Sequence, residues 1–218
     1  MIWEYPATYS DKRGAEETKV VNDARELKLP LRGVMFAGRS FDTLDPQPGV
    51  DSSLLKSFTL HHGSLCSCQI DCEMPLPIFC KNSTTWATLG VSLILGEPAS
   101  NGGLDRCDLT LSLKWEGREY KSNGRSGWFE NELLELENSL PGGARLKACI
   151  SCTFSGYSPY GQGLFGSLAC FRACKAEYRQ VRNKADLFKL WNQTVGNVQE
   201  TYVCPEFEVR PPGTAYRG

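Results

Sequence analysis

Long apolar runs and histidine are what this 218-residue chain has least of. A membrane-spanning helix needs about 18 or more apolar residues in a row. The longest stretch here, around Leu89–Leu95, is broken by Gly90 and Ser92, so no membrane span is expected. The N-terminus has no apolar run of signal-peptide length, and charges begin at Glu4 and cluster from Asp11 to Glu17. A cytoplasmic location is the expectation, with thiols kept reduced. On that reading the sequons at Asn82 and Asn192 are chance matches. Net charge is also scarce, at −1, with a pI near 6.2. That argues against a nucleic-acid or anionic-membrane partner held by bulk electrostatics. The only imidazoles, His61 and His62, stand side by side before Gly63 and are read as turn residues rather than half of a Cys–His pair. Gly161 and Gly163 precede a helix-like segment, but the rest of a phosphate-binding pattern is missing, so no nucleotide site is read there.

Apolar residues make up 41% and charged residues 22%, the composition of an ordinary globular protein. The length fits one domain over residues 1–218, strand-rich over 1–122 and mixed helix and strand over 123–218. Leu109, Leu111, Leu113 and Trp115 alternate with polar residues, the period of a half-buried strand, and Glu116-Gly117 turns it into a hairpin with Arg118–Ser122. Further strands are predicted at Glu26–Leu31, Val34–Phe36, Ser57–His61, Leu65–Asp71 and Trp86–Leu95, with loops at 45–49 and 101–103. From Gly127 the period changes. Phe129, Leu133, Leu136 and Leu140 fall on one face of a helix that Pro141 stops. After it come a strand over Ala144–Thr153, a Gly/Tyr-rich loop over 155–163, and a helix through Leu164, Leu168 and Phe171. A helix over Ala185–Trp191 with Asn183 as N-cap, a final strand at Glu200–Cys204 and an extended surface tail at 210–213 complete the prediction. The sum is an α+β fold: a mainly antiparallel β-sheet, with two or three helices in the C-terminal half.

Cysteine, by contrast, is abundant, with ten residues. Cys149 and Cys152 form a C-x₂-C pair, with Cys170, Cys174 and Cys204 downstream. From Cys149 to Cys174 the pattern C-x₂-C-x₁₇-C-x₃-C is close to the spacing of zinc sites. A C-x₂-C turn presents two thiolates to one tetrahedral ion, and distant cysteines complete the shell. Five candidates compete for four positions, and the alternative is that these are buried thiols acting as small hydrophobes. Cys66, Cys68 and Cys72 fall on one face of a predicted strand and, with Cys80, are read as packing residues. Cys107 is read as a core or half-buried residue.

Several segments resemble an uncharacterised family of bacterial cytosolic proteins known as a domain of unknown function. They are Asn101–Arg106, Gly127–Leu134, Lys147–Arg172 and Gln199–Phe207, with the closing Pro212-Gly213-Thr214 and Tyr216-Arg217-Gly218. The resemblance covers the C-terminal half well and the N-terminal half thinly, and it implies no reaction. It does imply cysteines at the positions of Cys149, Cys152, Cys170 and Cys204, which makes these four the candidate zinc ligands. Cys174 then looks like an extra, whereas the spacing rule alone prefers Cys174 to Cys204. Cys68 also falls in a family-like segment.

Two functional classes are consistent with these readings. The first is a non-catalytic cytosolic bacterial binding protein, immunity-protein-like, with a structural zinc site and a protein partner such as a toxin. Its binding features would be an acidic helix carrying Glu130, Glu132, Glu135 and Glu137, and loop tyrosines Tyr157 and Tyr160. The second is an enzyme of unknown class with its site under the Gly/Tyr loop 156–163. A deep pocket holding a titratable pair within hydrogen-bond reach separates the two. No catalytic residue is assigned.

Overall fold

The computed structural model of the protein describes residues 2–161 and 163–211. Gln162 in the Gly/Tyr loop, Pro212 and Gly213 of the tail, and the closing motifs after them lie outside the described residues.

The chain begins with two strands absent from the prediction: β1 (Trp3–Asp11), whose Trp3, Tyr5, Ala7 and Tyr9 alternate with Glu4, Pro6, Thr8 and Ser10 and so carry a period of two, and β2 (Gly14–Asn22). They are followed by β3 (Leu27–Leu31), β4 (Val34–Gly38) and the two-residue β5 (Asp45–Pro46), which lies in a segment predicted as loop. A short helix α1 (Ser52–Leu55) precedes a separate hairpin of β6 (Thr59–His61) and β7 (Ser64–Cys66). Two 13-residue strands, β8 (Cys68–Cys80) and β9 (Ser83–Leu95), form the centre of the fold. Then come β10 (Cys107–Trp115), β11 (Arg118–Lys121), helix α2 (Phe129–Ser139) and β12 (Arg145–Leu146). The main sheet has the order β11-β10-β9-β8-β1-β2-β3-β4-β5, with β12 also pairing β8, and every pairing is antiparallel.

The register explains the core. Ile70, Leu93 and Leu109 lie across from one another on adjacent strands, as do Cys72, Val91 and Leu111, and Met74, Leu89 and Leu113. All nine are buried. Because successive side chains alternate faces, the same register puts Asp71, Glu73, Ser92, Thr110 and Lys114 on the solvent face. Over the apolar face lies α2, through Phe129, Leu133 and Leu136. Phe41 stacks on Phe129 at 5.9 Å, and Phe165 meets both rings, so the N-terminal strands, the helix and the C-terminal loops share one core.

The C-terminal part is less regular than predicted. Beyond α2 lie β13 (Ser155–Gly156), β14 (Leu168–Cys170), α3 (Lys175–Tyr178), α4 (Lys184–Leu190) and β15 (Asn197–Val198). The order β13-β14-β15 makes a small second sheet. Asn183 caps α4 as expected, accepting from the Asp186 backbone N–H at 3.0 Å. The predicted helix through Leu164 and Phe171 does not form. Gly166 sits at φ +73°, which stops a helix, and the segment pairs as β14 instead. The predicted strand over Ala144–Thr153 reduces to β12 followed by a 3-10 turn at Cys149–Ser151. The expected strand at Glu200–Cys204 is irregular, and the final strand is β15. Leu65–Asp71 is broken at Ser67, whose φ is +53°.

Candidate metal centre at the seam of two cores

Two buried apolar clusters meet in the C-terminal half. The main core includes Cys149 and Cys204. A smaller one, built around Phe154, Phe171, Tyr178 and Leu187, includes Cys152 and Cys174. Cys170 is buried on β14, the middle strand of the small sheet.

Backbone hydrogen bonds bring the four predicted ligands to this seam. Cys149 and Cys152 sit at either end of one 3-10 turn, closed by the Cys152 N–H donating to the Cys149 carbonyl at 3.1 Å. The Cys149 N–H donates to Tyr202 and the Ile150 N–H to Glu200, each at 2.9 Å, which draws the segment leading to Cys204 alongside. Ser155 pairs with Cys170 across β13 and β14. The Ser155 hydroxyl locks the turn by donating to the carbonyls of Cys149 and Cys152, at 2.6 and 3.0 Å. Cys204 lies in a tight turn, where the Phe207 N–H donates to its carbonyl and the Glu206 N–H donates to its sulfur at 3.4 Å. The tail is held too. It runs along 151–153, and Arg210 donates to the carbonyls of Cys152 and Ser155.

The thiols feel one another. Burial pushes the Cys149 thiol up, and the sulfurs of Cys152, Cys204 and Cys170 push it further, opposed by Arg172. Burial also raises Cys170, opposed by the backbone N–H and guanidinium of Arg172, while Cys204 and Cys152 add to the rise. Arg172 donates from Nη1 to the Cys204 sulfur at 3.7 Å. Cys174 is raised by burial and then by Glu177 and Cys170; its thiol donates to the Phe171 carbonyl at 3.6 Å. Among the described residues, no group of three or more His, Cys, Asp or Glu side chains is arranged to hold a metal ion as it stands. The four thiols are therefore neighbours around a seam rather than a closed shell.

The other candidates separate cleanly. All ten cysteines are free thiols. Burial pushes Cys68 and Cys72 up to about 12, as expected of inert core thiols. Cys107 is exposed at the start of β10, not the core or half-buried residue expected from sequence. His61 and His62 pack ring to ring at 4.1 Å in the β6–β7 turn, and His61 Nε2 bonds the Gly102 carbonyl at 2.9 Å.

The acidic helix is a correction. Glu132 and Glu137 are 1% and 7% exposed. Glu132 accepts from the backbone N–H groups of Gly124 and Ser126, at 2.9 and 3.0 Å. Burial works against its charge, but the donors of Ser122, Ser126 and Gly124 hold its carboxyl below the ordinary range. Glu137 accepts from Arg145, the Leu146 N–H and the Ser151 hydroxyl. Two of the four glutamates thus tie loops to the helix rather than face a partner.

The loop tyrosines also part company. Tyr160 is 80% exposed and stacks on Phe188, with Lys184 over its ring. Tyr157 is buried, and its hydroxyl donates to Glu200 at 3.0 Å. Glu200 is a group that sequence reasoning missed; it is fully buried and also accepts from the Gly166 N–H at 2.7 Å. A titratable pair therefore lies beneath the Gly/Tyr loop, but with no exposed surface on the carboxylate for a substrate to reach. A Cβ on Gly166 would lie 2.7 Å from the Arg39 carbonyl, at a φ that side chains rarely adopt. Gly166→Ala is expected to lower stability by about 1–3 kcal/mol and to speed proteolytic cleavage of the Gly/Tyr loop; unchanged midpoint and cleavage would show the loop is not anchored there.

Fold and seam define an α+β protein built on two antiparallel meanders, β1 to β5 and β8 to β11, joined into one sheet by the pairing of β1 with β8, with a cysteine-lined junction towards the C-terminal end. Residues 3–155 match a family of unknown function, DUF6304, and the chain belongs to that family. The match takes in the whole main sheet with Cys149 and Cys152 but ends before Cys170 and Cys204, so its weight falls on the N-terminal two thirds rather than on the C-terminal half. No curated protein and no solved structure matches the chain. No helix among the described residues is long and apolar enough to cross a membrane.

Proposed function

We propose that this is a non-catalytic, cytosolic bacterial binding protein, immunity-protein-like, whose C-terminal half is fastened to the sheet by one structural zinc ion. The observation that supports the zinc reading is that separate backbone pairings hold the segments of Cys149 and Cys152, of Cys170 and of Cys204 alongside one another. Cys174 is the weaker fourth ligand, because its electrostatic neighbour is Cys170 and it is absent from the thiols that act on Cys149. The sulfurs would draw in to about 2.3 Å around the ion, and four thiolates leave no position for a substrate water. Such a site holds segments together and does no chemistry. The binding reading is supported by the enclosure of Glu200, which pairs with Tyr157 under the loop and offers no exposed surface to a substrate. A protein partner, such as a toxin, would then dock on surface outside the two buried glutamates of α2.

Elemental analysis of protein purified without chelator should find about one zinc per chain. Cys149→Ser should lose it, and Cys174→Ser should keep it. Metal loss should loosen residues beyond Leu146 in hydrogen exchange more than the main sheet, whose strand pairings from β1 to β11 involve none of the four cysteines. Metal-free wild-type protein with no uptake of added zinc would sink the site.

A further inference from the structure

We infer that the Gly/Tyr loop and α4 together form the docking face for the protein partner, and that the partner brings an acidic segment to it. This rests on the binding reading above and names the chemistry of the partner. The loop is built to hold one ring out. Its ends are pinned in the interior: the Tyr157 hydroxyl donates to Glu200 at 3.0 Å, the Gly166 N–H donates to the same carboxylate at 2.7 Å, and the Phe165 N–H donates to the Ser40 hydroxyl at 3.2 Å. Between these anchors the chain turns at Ser158, whose carbonyl accepts from the Gly161 N–H at 3.1 Å. Tyr160 stands in that turn at 80% exposure, above any other large apolar side chain among the described residues. Its ring stacks on Phe188 at 4.9 Å, and Phe188 meets Trp191 edge-on at 6.4 Å. Stacking restrains the ring without hiding it. An aromatic side chain held in this way has little freedom left to lose on binding, the property that makes tyrosine an interface anchor.

Charge decides what the partner must carry. Lys184 Nζ lies 4.4 Å from the centre of the Tyr160 ring and 5.6 Å from that of Phe188. Arg182 Nη1 donates to the backbone carbonyls of Arg179 and Val181, at 2.7 and 3.1 Å. Among the described residues, neither of these two side chains is in an ion pair. Lys189 reaches Asp186 at 3.3 Å, yet its side chain is 75% exposed. Farther along the same lobe, Lys175 and Arg179 are answered by Glu206 and Glu208. The unanswered cations therefore collect around Tyr160, in a chain whose net charge is −1. A partner that sets carboxylates against Lys184, Arg182 and Lys189 and a side chain against Tyr160 satisfies both features. A neutral or basic surface would desolvate the cations with nothing to pair them.

The test is zero-length carbodiimide crosslinking, which joins a lysine amine to a carboxylate in contact with it. Tagged protein is expressed in the organism that makes it, the extract is treated, and the crosslinked peptides are mapped by mass spectrometry. Lys184 or Lys189 should be joined to Asp or Glu of one partner. Lys184→Arg keeps the charge and removes the amine, so it should retain the partner and lose the Lys184 crosslink. Affinity for the partner so identified should fall about 10-fold in Lys184→Glu and about 30-fold in Tyr160→Ala, with near-ultraviolet circular dichroism unchanged. Lys121→Glu, on β11 at the far edge of the main sheet, should bind as wild type does. A partner joined only elsewhere, or bound equally by Tyr160→Ala and Lys184→Glu, overturns this face and leaves the binding reading standing. Oligothymidylate binding that Lys184→Glu abolishes, or a wild-type dimer that it dissolves, overturns the acidic protein in favour of a nucleic acid or a second copy. Wild type that co-purifies with no protein overturns the binding reading itself.

Discussion

Glu137→Lys is expected to destabilise the protein by about 3–5 kcal/mol, the range for breaking a buried charged pair. That is a large share of the roughly 5–15 kcal/mol that holds a domain together. The wild-type carboxylate accepts from Arg145 Nη1 at 3.1 Å, from the Leu146 N–H at 2.8 Å and from the Ser151 hydroxyl. Lysine would leave the Leu146 donor unpaired, place a second cation beside Arg145 and push an ammonium into a site that is 7% exposed. Glu132→Lys should be similarly severe, because it frees the N–H groups of Gly124 and Ser126. Glu135 is half-buried and, among the described residues, accepts from Asn123 alone, at 3.0 and 3.1 Å, so Glu135→Lys should lose about 1 kcal/mol. Exposed Asn138→Lys should stay within about 0.5 kcal/mol. Urea midpoints of the four variants give the ranking. Four small and equal effects would mean that α2 is a solvated acidic face after all.

That contrast marks where the sequence could be read. The period of Phe129, Leu133, Leu136 and Leu140 locates α2 and its buried stripe correctly, since burial of a helix face is written in spacing. The same spacing puts Glu132 and Glu137 on polar faces. Nothing local says that loops 122–126 and 145–151 fold back over them, because those partners come from tertiary structure. Strand β10 and its hairpin are legible for the same reason as α2. The turn residues Glu116 and Gly117 both have positive φ, at 48° and 74°, as a tight hairpin requires. Strand β2 reads Gly-Ala-Glu-Glu-Thr-Lys-Val-Val-Asn, and its more buried positions, Glu16, Thr18, Val20 and Asn22, are mostly polar, so its alternation leaves no hydrophobic pattern to find. It is a strand because β1 and β3 flank it. Cys149, Cys152 and Cys170 announce themselves by spacing, but the segment of Cys204 is drawn alongside by backbone pairings that no spacing encodes. Arg172 and Glu200 carry no signal at all beyond standing near those cysteines.

Stability should fall as pH rises through neutrality, and Glu200 should be the cause. Burial pushes its carboxyl up from an ordinary value of 4.5 to about 7, against the lowering effect of donors from Gly166, its own N–H, Tyr157 and Ser167. The direction follows from linkage. A group raised in the folded state binds its proton more tightly there than in the unfolded chain, so it favours folding while protonated. Its contribution is complete below about pH 4.5 and is lost as pH climbs through about 7. Each pH unit between those two values is worth about 1.4 kcal/mol, so the loss amounts to about 3 kcal/mol by about pH 8 to 9. The affected region is specific. Glu200 joins Tyr157 at one end of the Gly/Tyr loop to Gly166 at the other, and its own carbonyl accepts from Ile150 beside the Cys149 turn. Ionising it should loosen that loop before the main sheet responds. Denaturant midpoints from about pH 5 to 8.5 should fall for wild type, and Glu200→Gln should flatten the slope, because the amide has the same shape and cannot ionise. Hydrogen exchange at the Gly166 amide should accelerate over the same window beyond the intrinsic base catalysis of exchange. Parallel pH slopes for wild type and Glu200→Gln would show that the carboxylate is already ionised in the fold, with its four donors outweighing burial.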